Sequence, residues 1–173
     1  MKKNIAIGAA VAALLAACQS IPADAPKASA VLEPTKGSAV RGNVSFVQSG
    51  DKVRVSAGVS GLKPNGEYGF HIHEAGDCSS GDGMSAKGHF NPYGKPHAHA
   101  GTPERHAGDL TSLKSDGGGN ASLTVDLDVI TVAPGPSSIV GRGLIVHAQP
   151  DDFKTQPTGN AGARSACAVI LRS

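Results

Sequence analysis

The chain has 173 residues, a formal net charge of +2, no tryptophan and only 3% aromatic residues. That length suits one domain with a real core. So balanced a charge leaves no footprint for nucleic acid or another polyanion, and any attraction of a charged substrate must be local. At the start, Met1-Lys2-Lys3-Asn4 is short and basic, and Ile5 to Ala17 is apolar and uncharged. An apolar run of that length is too short to span a bilayer as a mature helix. Together they read as a secretory signal peptide over residues 1–17. Its removal would take away Lys2 and Lys3, lowering the basic count from 16 to 14, equal to the acidic count of 14.

Leu15-Ala16-Ala17-Cys18 resembles the lipobox of bacterial lipoproteins, so Cys18 is the expected acceptor of a lipid and the expected mature N-terminus. Residues 18–36 are rich in Ala, Pro and Ser and lack aromatics, and are read as a flexible, lipid-anchored tether. From residue 37 onward the pattern is short strands and glycine-rich turns. Val40, Gly42, Val44 and Phe46 alternate with polar residues, as do Val53, Val55, Ala57 and Val59. Leu123, Val125, Leu127 and Val129 repeat the pattern after the turn cluster Asp116-Gly117-Gly118-Gly119-Asn120. No segment after residue 17 carries a helical stripe. The expectation is a single all-β domain over 37–173, a sandwich or barrel.

The seven histidines crowd into a small part of this chain: His71, His73, His89, His97, His99, His106 and, alone, His147. Neutral imidazole suits copper and zinc, and an aspartate among imidazoles suits zinc. His71 lies in the apolar run Tyr68 to Ile72, which reads as a strand, and His73 directly follows it. Residues two apart on a strand point to one face, so both can grip one ion. His147 ends a second strand-like run and can add a ligand from a neighbouring strand. The stretch from His89 to Asp109, rich in Gly, Pro, Asn and Lys, reads as a loop folded round an ion.

These pieces resemble the bacterial copper,zinc superoxide dismutases. The likeness rests on Gly69-Phe70-His71-Ile72-His73-Glu74, Gly76-Asp77-Cys78, Gly88-His89-Phe90-Asn91-Pro92, Arg105-His106-Ala107-Gly108-Asp109-Leu110, Val146-His147-Ala148-Gln149-Pro150-Asp151-Asp152 and Gly159-Asn160-Ala161-Gly162-Ala163-Arg164-Ser165-Ala166-Cys167. It implies an eight-stranded Greek-key β-barrel or sandwich with long metal-binding loops. It implies one copper per subunit on His71, His73, His89 and His147, and one zinc on His89, His97, His106 and Asp109. His89 would bridge the two ions. Asp151 would hydrogen-bond His71 and His97, and Arg164 would attract the anionic substrate beside copper. His97 fits the family spacing better than His99, which is read as an exposed loop histidine.

The resemblance further implies dismutation of superoxide to dioxygen and hydrogen peroxide. Copper would cycle between Cu(II) and Cu(I), zinc would stay redox-inert, and His89 would leave copper on its reduction and take up a proton. It pairs Cys78 with Cys167, a disulfide suited to an oxidising periplasm and worth about 4 kcal/mol in a chain-entropy model. Lipidation of Cys18 would account for the third cysteine. The enzyme is thus expected in the periplasm, membrane-attached through Cys18 and protecting the cell envelope, with a homodimer among the states that bacterial members adopt. A non-catalytic copper- or zinc-binding protein is the alternative, disfavoured by Asp151 and Arg164, which storage does not need. A zinc hydrolase is disfavoured by a closed zinc shell. The segment Asp152 to Gly162 is short and poor in charge, leaving Lys87 and Lys95 as candidates for local steering.

Overall fold

A computed structural model describes residues 22–173. The segments read as a signal peptide (1–17) and as the lipid acceptor Cys18 lie outside the described residues. Among the described residues there are ten strands: β1 (Lys27–Pro34), β2 (Arg41–Ser49), β3 (Lys52–Ser60), β4 (Glu67–Tyr68), β5 (Phe70–His73), β6 (Leu113–Lys114), β7 (Ala121–Leu127), β8 (Gly143–His147), β9 (Arg164–Val169) and β10 (Leu171–Arg172). Among the described residues the one helical element is a 3-10 turn, Met84–Ala86.

Seven strands run in the order β5-β8-β9-β1-β2-β3-β7, and β10 makes an eighth by pairing with β1. All neighbours are antiparallel. The chain leaves β3 near one edge, crosses to β5 at the other, returns to β7 and crosses again to β8. Among the paired neighbours only β2 and β3 are joined by a tight hairpin, and the long connection after β5 carries His89, His97, His99 and His106. The sheet curls so that its edges approach. The short pair β4–β6 joins them, because β4 runs into β5 and β6 leads through a Ser115–Ala121 bridge into β7. The result is the barrel-like all-β architecture expected from period-two patterning.

The alternating runs place their apolar members inside. Leu32, Val44, Phe46, Val53, Val55, Phe70, Ile72 and Leu144 meet in one core, and burying each such side chain is worth about 1.5–3 kcal/mol relative to exposure. β5 is buried on both faces: Phe70 and Ile72 face the core, while His71 and His73 are covered from outside by loops. The apolar run read as one strand is broken at Gly69, where a Cβ would crowd Ala161 and the His71 ring.

One expectation is corrected. The proposed tether over 18–36 holds a strand at 27–34, paired with β2, β9 and β10. Ala28, Ala30 and Leu32 are buried and alternate with Lys27, Ser29, Val31 and Glu33. Thr35 and Lys36 are also tied down, their amides donating to the Ser165 and Gly81 carbonyls. The folded unit therefore begins near Pro26, whose carbonyl accepts from Gln48 N–H, rather than at residue 37. Small apolar residues between prolines carried a strand signal that composition alone hid.

Candidate metal centre

β5 and β8 lie side by side, with His71 opposite Ile145 and Phe70 opposite Val146. A register shift between Val146 and His147 follows on the β9 side, where His147 stands opposite Arg164. This brings the strand histidines and the arginine to one end of the sheet. The 74–111 connection then folds back over β5. Its His89 forms an isolated bridge with His73, and Asp109 does the same with His71. Gly108 permits that approach, because a Cβ there would overlap the Ile72 carbonyl.

Two ligand groups result, all their members buried: His71, His73, His89 and His147, and His89, His97, His106 and Asp109. Within each, the candidate ligand atoms lie within 4.8 Å of one another. His89 belongs to both. His97 rather than His99 joins the second group. His99 instead packs edge-on against Phe153, with ring centroids 4.8 Å apart.

In the first group the neighbours select the free nitrogen. His71 Nε2–H donates to Asp151 Oδ2 at 2.7 Å, His73 Nδ1–H to the Lys87 carbonyl at 2.8 Å, and His147 Nδ1–H to the Gly162 carbonyl at 3.2 Å. Each ring then turns its other nitrogen inward unprotonated. Those atoms, His71 Nδ1, His73 Nε2 and His147 Nε2, are buried without a hydrogen-bond partner, and so is His89 Nε2. Four orphaned ring nitrogens at one point are costly unless an ion accepts their lone pairs. Burial, reinforced by neighbouring histidines, holds His73 well below its usual range and lowers His89 to about 4 and His147 to about 3. They are therefore neutral at physiological pH, the state that binds metal.

The second group has a different signature. Asp109 Oδ1 lies 2.9 Å from His89 Nδ1, 2.9 Å from His97 Nδ1 and 3.4 Å from His106 Nδ1, while the His89 and His106 nitrogens are 3.4 Å apart. Tetrahedral ligands about 2.0–2.1 Å from zinc stand roughly 3.3 Å from one another. The measured edges fit that cage, whereas three rings crowding one oxygen make a poor hydrogen-bond set. Asp109 Oδ2 is held by the amides of Ala98 and His106, and the surrounding donors keep the carboxyl ionised despite burial. Burial opposes charge on His97, but Asp109 and Asp151 outweigh it and raise its pKa to about 9. The carboxylates thus call for positive charge here, which an ion at Nδ1 supplies.

Asp151 joins the groups. Its Oδ1 accepts from His97 Nε2–H at 2.9 Å while its Oδ2 accepts from His71. Gly159, at φ +66°, is required beside it, since a Cβ would overlap Asp151 Oδ1 and crowd His97. Arg164 donates to the carbonyls of Gly83 and Lys87. The Lys87 carbonyl so receives both His73 and Arg164 and fixes the arginine beside the first group. Cys78 and Cys167 are joined as expected, 89 residues apart, and tie the connection after β5 to β9.

Two contributors were given no role by sequence reasoning, although Arg105 stands in one of the matching segments. Gln156 accepts the His97 amide with Oε1 and donates to the His97 carbonyl with Nε2, each at 2.8 Å. That two-point clasp holds the histidine loop to the 151–162 loop. Arg105 donates to Thr102 O and to Asp128, anchoring the His97–His106 loop to the end of β7. Neither has a local pattern that marks it, because its partners are set by the fold.

A curled antiparallel barrel bearing two buried ion sites that share one imidazole defines a dinuclear metalloprotein. Residues 40–170 match the family model for copper/zinc superoxide dismutase (SODC). The chain is 40% identical over 148 residues to Superoxide dismutase [Cu-Zn] 2 of Aquifex aeolicus (strain VF5), covering 83% of this chain and 86% of that protein. It is 43% identical over 137 residues to the Superoxide dismutase [Cu-Zn] of Paramecium bursaria Chlorella virus 1, covering 76% and 72%. The crystal structure of the clock protein EA4 superposes with a TM-score of 0.77 at 42% identity, over 85% of this chain and 94% of that one. The chain belongs to the copper/zinc superoxide dismutase family. Its cofactors are copper and zinc, and it dismutes superoxide to dioxygen and hydrogen peroxide. Nothing in these findings favours a non-catalytic metal carrier.

Proposed function

We propose that the strand-borne group, His71, His73, His89 and His147, holds the copper, and that the loop-borne group, His89, His97, His106 and Asp109, holds the zinc, one of each per subunit. The observation that carries this reading is the pair of donor sets: four freed nitrogens in one, three nitrogens and a carboxylate oxygen in the other. An all-imidazole site suits a redox copper, and a closed tetrahedral site with a carboxylate suits zinc. When bound, copper supplies the one-electron cycling between Cu(II) and Cu(I) that dismutation requires.

The chain's residues supply the rest. Arg164, braced by two carbonyls, presents a permanently charged guanidinium that attracts and orients the superoxide anion. Asp151 and the Lys87 and Gly162 carbonyls fix the tautomers of the ligating rings. His89 has both ring nitrogens inside the ligand groups, and its Nε2 is the atom that can hold a proton between the two half-reactions and deliver it to the peroxide. Two protons and two superoxide ions then balance one dioxygen and one hydrogen peroxide.

We further infer that the enzyme works in the periplasm, attached to a membrane by lipid on Cys18 after cleavage of residues 1–17, and guards the cell envelope. The lipobox-like Leu15-Ala16-Ala17-Cys18 and the pairing of the other two cysteines support this. The test is expression of the full chain and a Cys18→Ser variant in a bacterial host. Detergent partitioning, intact mass, metal content and dismutation are then measured together. A lipidated, detergent-partitioning chain with both metals and activity is expected, with partitioning lost in the variant. An unmodified, water-soluble wild-type product would refute the anchor, and a fully metallated but inactive one would refute the enzyme.

A further inference from the structure

β1 runs between two ends of the barrel that differ in what they carry. Its eight residues span about 27 Å at the usual strand rise. At its start, the Pro26 carbonyl accepts from Gln48 N–H and the Lys27 carbonyl from Ser173 N–H. The turn of the β2–β3 hairpin, Ser49 to Lys52, lies at this same end. At its finish, Pro34 stands opposite Ala166. Thr35 then holds the start of β9: its amide donates to the Ser165 carbonyl, and its Oγ1–H to the Arg164 carbonyl at 2.6 Å. The Lys36 amide donates to the Gly81 carbonyl, two residues before Gly83, whose carbonyl braces the Arg164 guanidinium. The arginine of the metal centre therefore sits a strand length from the end where the chain enters the barrel.

The chain in front of β1 is short. Pro22 to Ala25 form a turn in which the Ala25 amide donates to the Pro22 carbonyl at 3.1 Å. Four peptide steps lead back from Pro22 to Cys18. A fully extended chain covers at most about 3.6 Å per residue, so this link reaches about 14 Å. Turning the Arg164 end toward a membrane would lift Pro22 by about the length of β1, roughly twice what the link allows. Charge does not set the orientation. Asp24 and Asp51 balance Lys27 and Lys52 at the entry end, and all four are exposed.

We propose that the entry end, Pro22–Lys27 with the β2–β3 turn, is the surface that faces the lipid bilayer. The shortness of the link holds it there and keeps Arg164 toward the aqueous space, where superoxide arrives from solution. The proposal rests on the lipidation of Cys18. At about 0.1 M salt the potential of anionic headgroups decays over about 10 Å, so an arginine a strand length away lies outside it.

The experiment uses the full chain, loaded with copper and zinc, on vesicles doped with a headgroup-nitroxide quencher. A thiol-reactive dye is placed on Asp51→Cys, in the hairpin turn, or on Lys36→Cys, at the far end of β1. Both positions are exposed, and Cys78 and Cys167 are already paired. The dye at position 51 should lose most of its emission, and the dye at position 36 should keep most of it. A Gly/Ser insertion of about 20 residues after Ser20, with an r.m.s. span of about 25 Å, should leave the chain on the vesicles and bring both dyes to similar, weak quenching. Dismutation per copper at about 0.1 M salt should be equal on anionic and zwitterionic vesicles. Equal quenching of the two dyes in the chain of native length, or stronger quenching at position 36, would overturn the proposal. So would strong quenching at position 51 that survives the insertion, because a docking patch rather than the short link would then hold the barrel. Slower dismutation on anionic vesicles would place Arg164 within the headgroup potential and contradict it. Failure of lipidation would register separately, as wild type that floats with vesicles no better than Cys18→Ser.

Discussion

The two halves of the metal centre are built from different material. Three of the four histidines proposed to hold copper project from adjacent sheet strands, β5 and β8, whose backbones are fixed by ladder hydrogen bonds and whose other face is core. The residues proposed to hold zinc, from His89 to Asp109, sit on a connection with isolated bridges and turns. A ligand set on strands is preorganised by the fold. A ligand set on a loop is ordered largely by its ion together with a few clasps, here Gln156, Arg105 and Asp151. On the proposed assignment the redox ion would sit on the rigid part, and the inert ion would staple the part that would otherwise move.

The sharpest way to break this contrast is to remove one ligand from the strand side alone. His147→Ala should abolish dismutation while zinc stays at full occupancy and the loop keeps its order, because His147 contributes to no other group. Metal content and rate measured on one purified sample decide it. Loss of zinc with copper intact would reverse the assignment.

A smaller effect on the chemistry and a larger one on the scaffold is expected from stripping zinc. An ion present at about a thousand times its dissociation constant stabilises the native state by about 4 kcal/mol. Its removal should lower the melting temperature and raise amide exchange across residues 89–109, leaving β1, β2 and β3 protected. Hydrogen exchange read by mass spectrometry locates the change. Uniform loss of protection across the sheet would show that the loop is not a separate unit.

How much of this was legible in the sequence differs between the same two regions. The ligands were visible because metal chemistry restricts residue type and because period two aligns His71 with His73. β2, β3 and β7 were visible through alternation. β1 was not, since Ala28 and Ala30 carry little hydrophobic signal and Pro22, Pro26 and Pro34 suggested an unstructured tether. The Gln156 clasp spans 59 residues, so it could not be read locally.

The smallest of the expected effects concerns the residue that spans both regions. Asp151→Asn keeps the size of the side chain but can accept from only one ring with its carbonyl oxygen, leaving His71 or His97 free to rotate. Metal affinity should fall about 10- to 100-fold with the fold intact. Competition with a chelator should show both ions weakened. If only copper were weakened, Asp151 would act on His71 alone.

The most direct test is diffraction from crystals of the copper- and zinc-loaded enzyme, with data collected on either side of each metal's absorption edge. The account predicts copper bonded to His71 Nδ1, His73 Nε2, His147 Nε2 and, in its oxidised state, His89 Nε2. It predicts zinc among the Nδ1 atoms of His89, His97 and His106 and Asp109 Oδ1. Zinc on the strand-borne nitrogens with copper in the loop-borne cage, or two sites sharing no histidine, would contradict it.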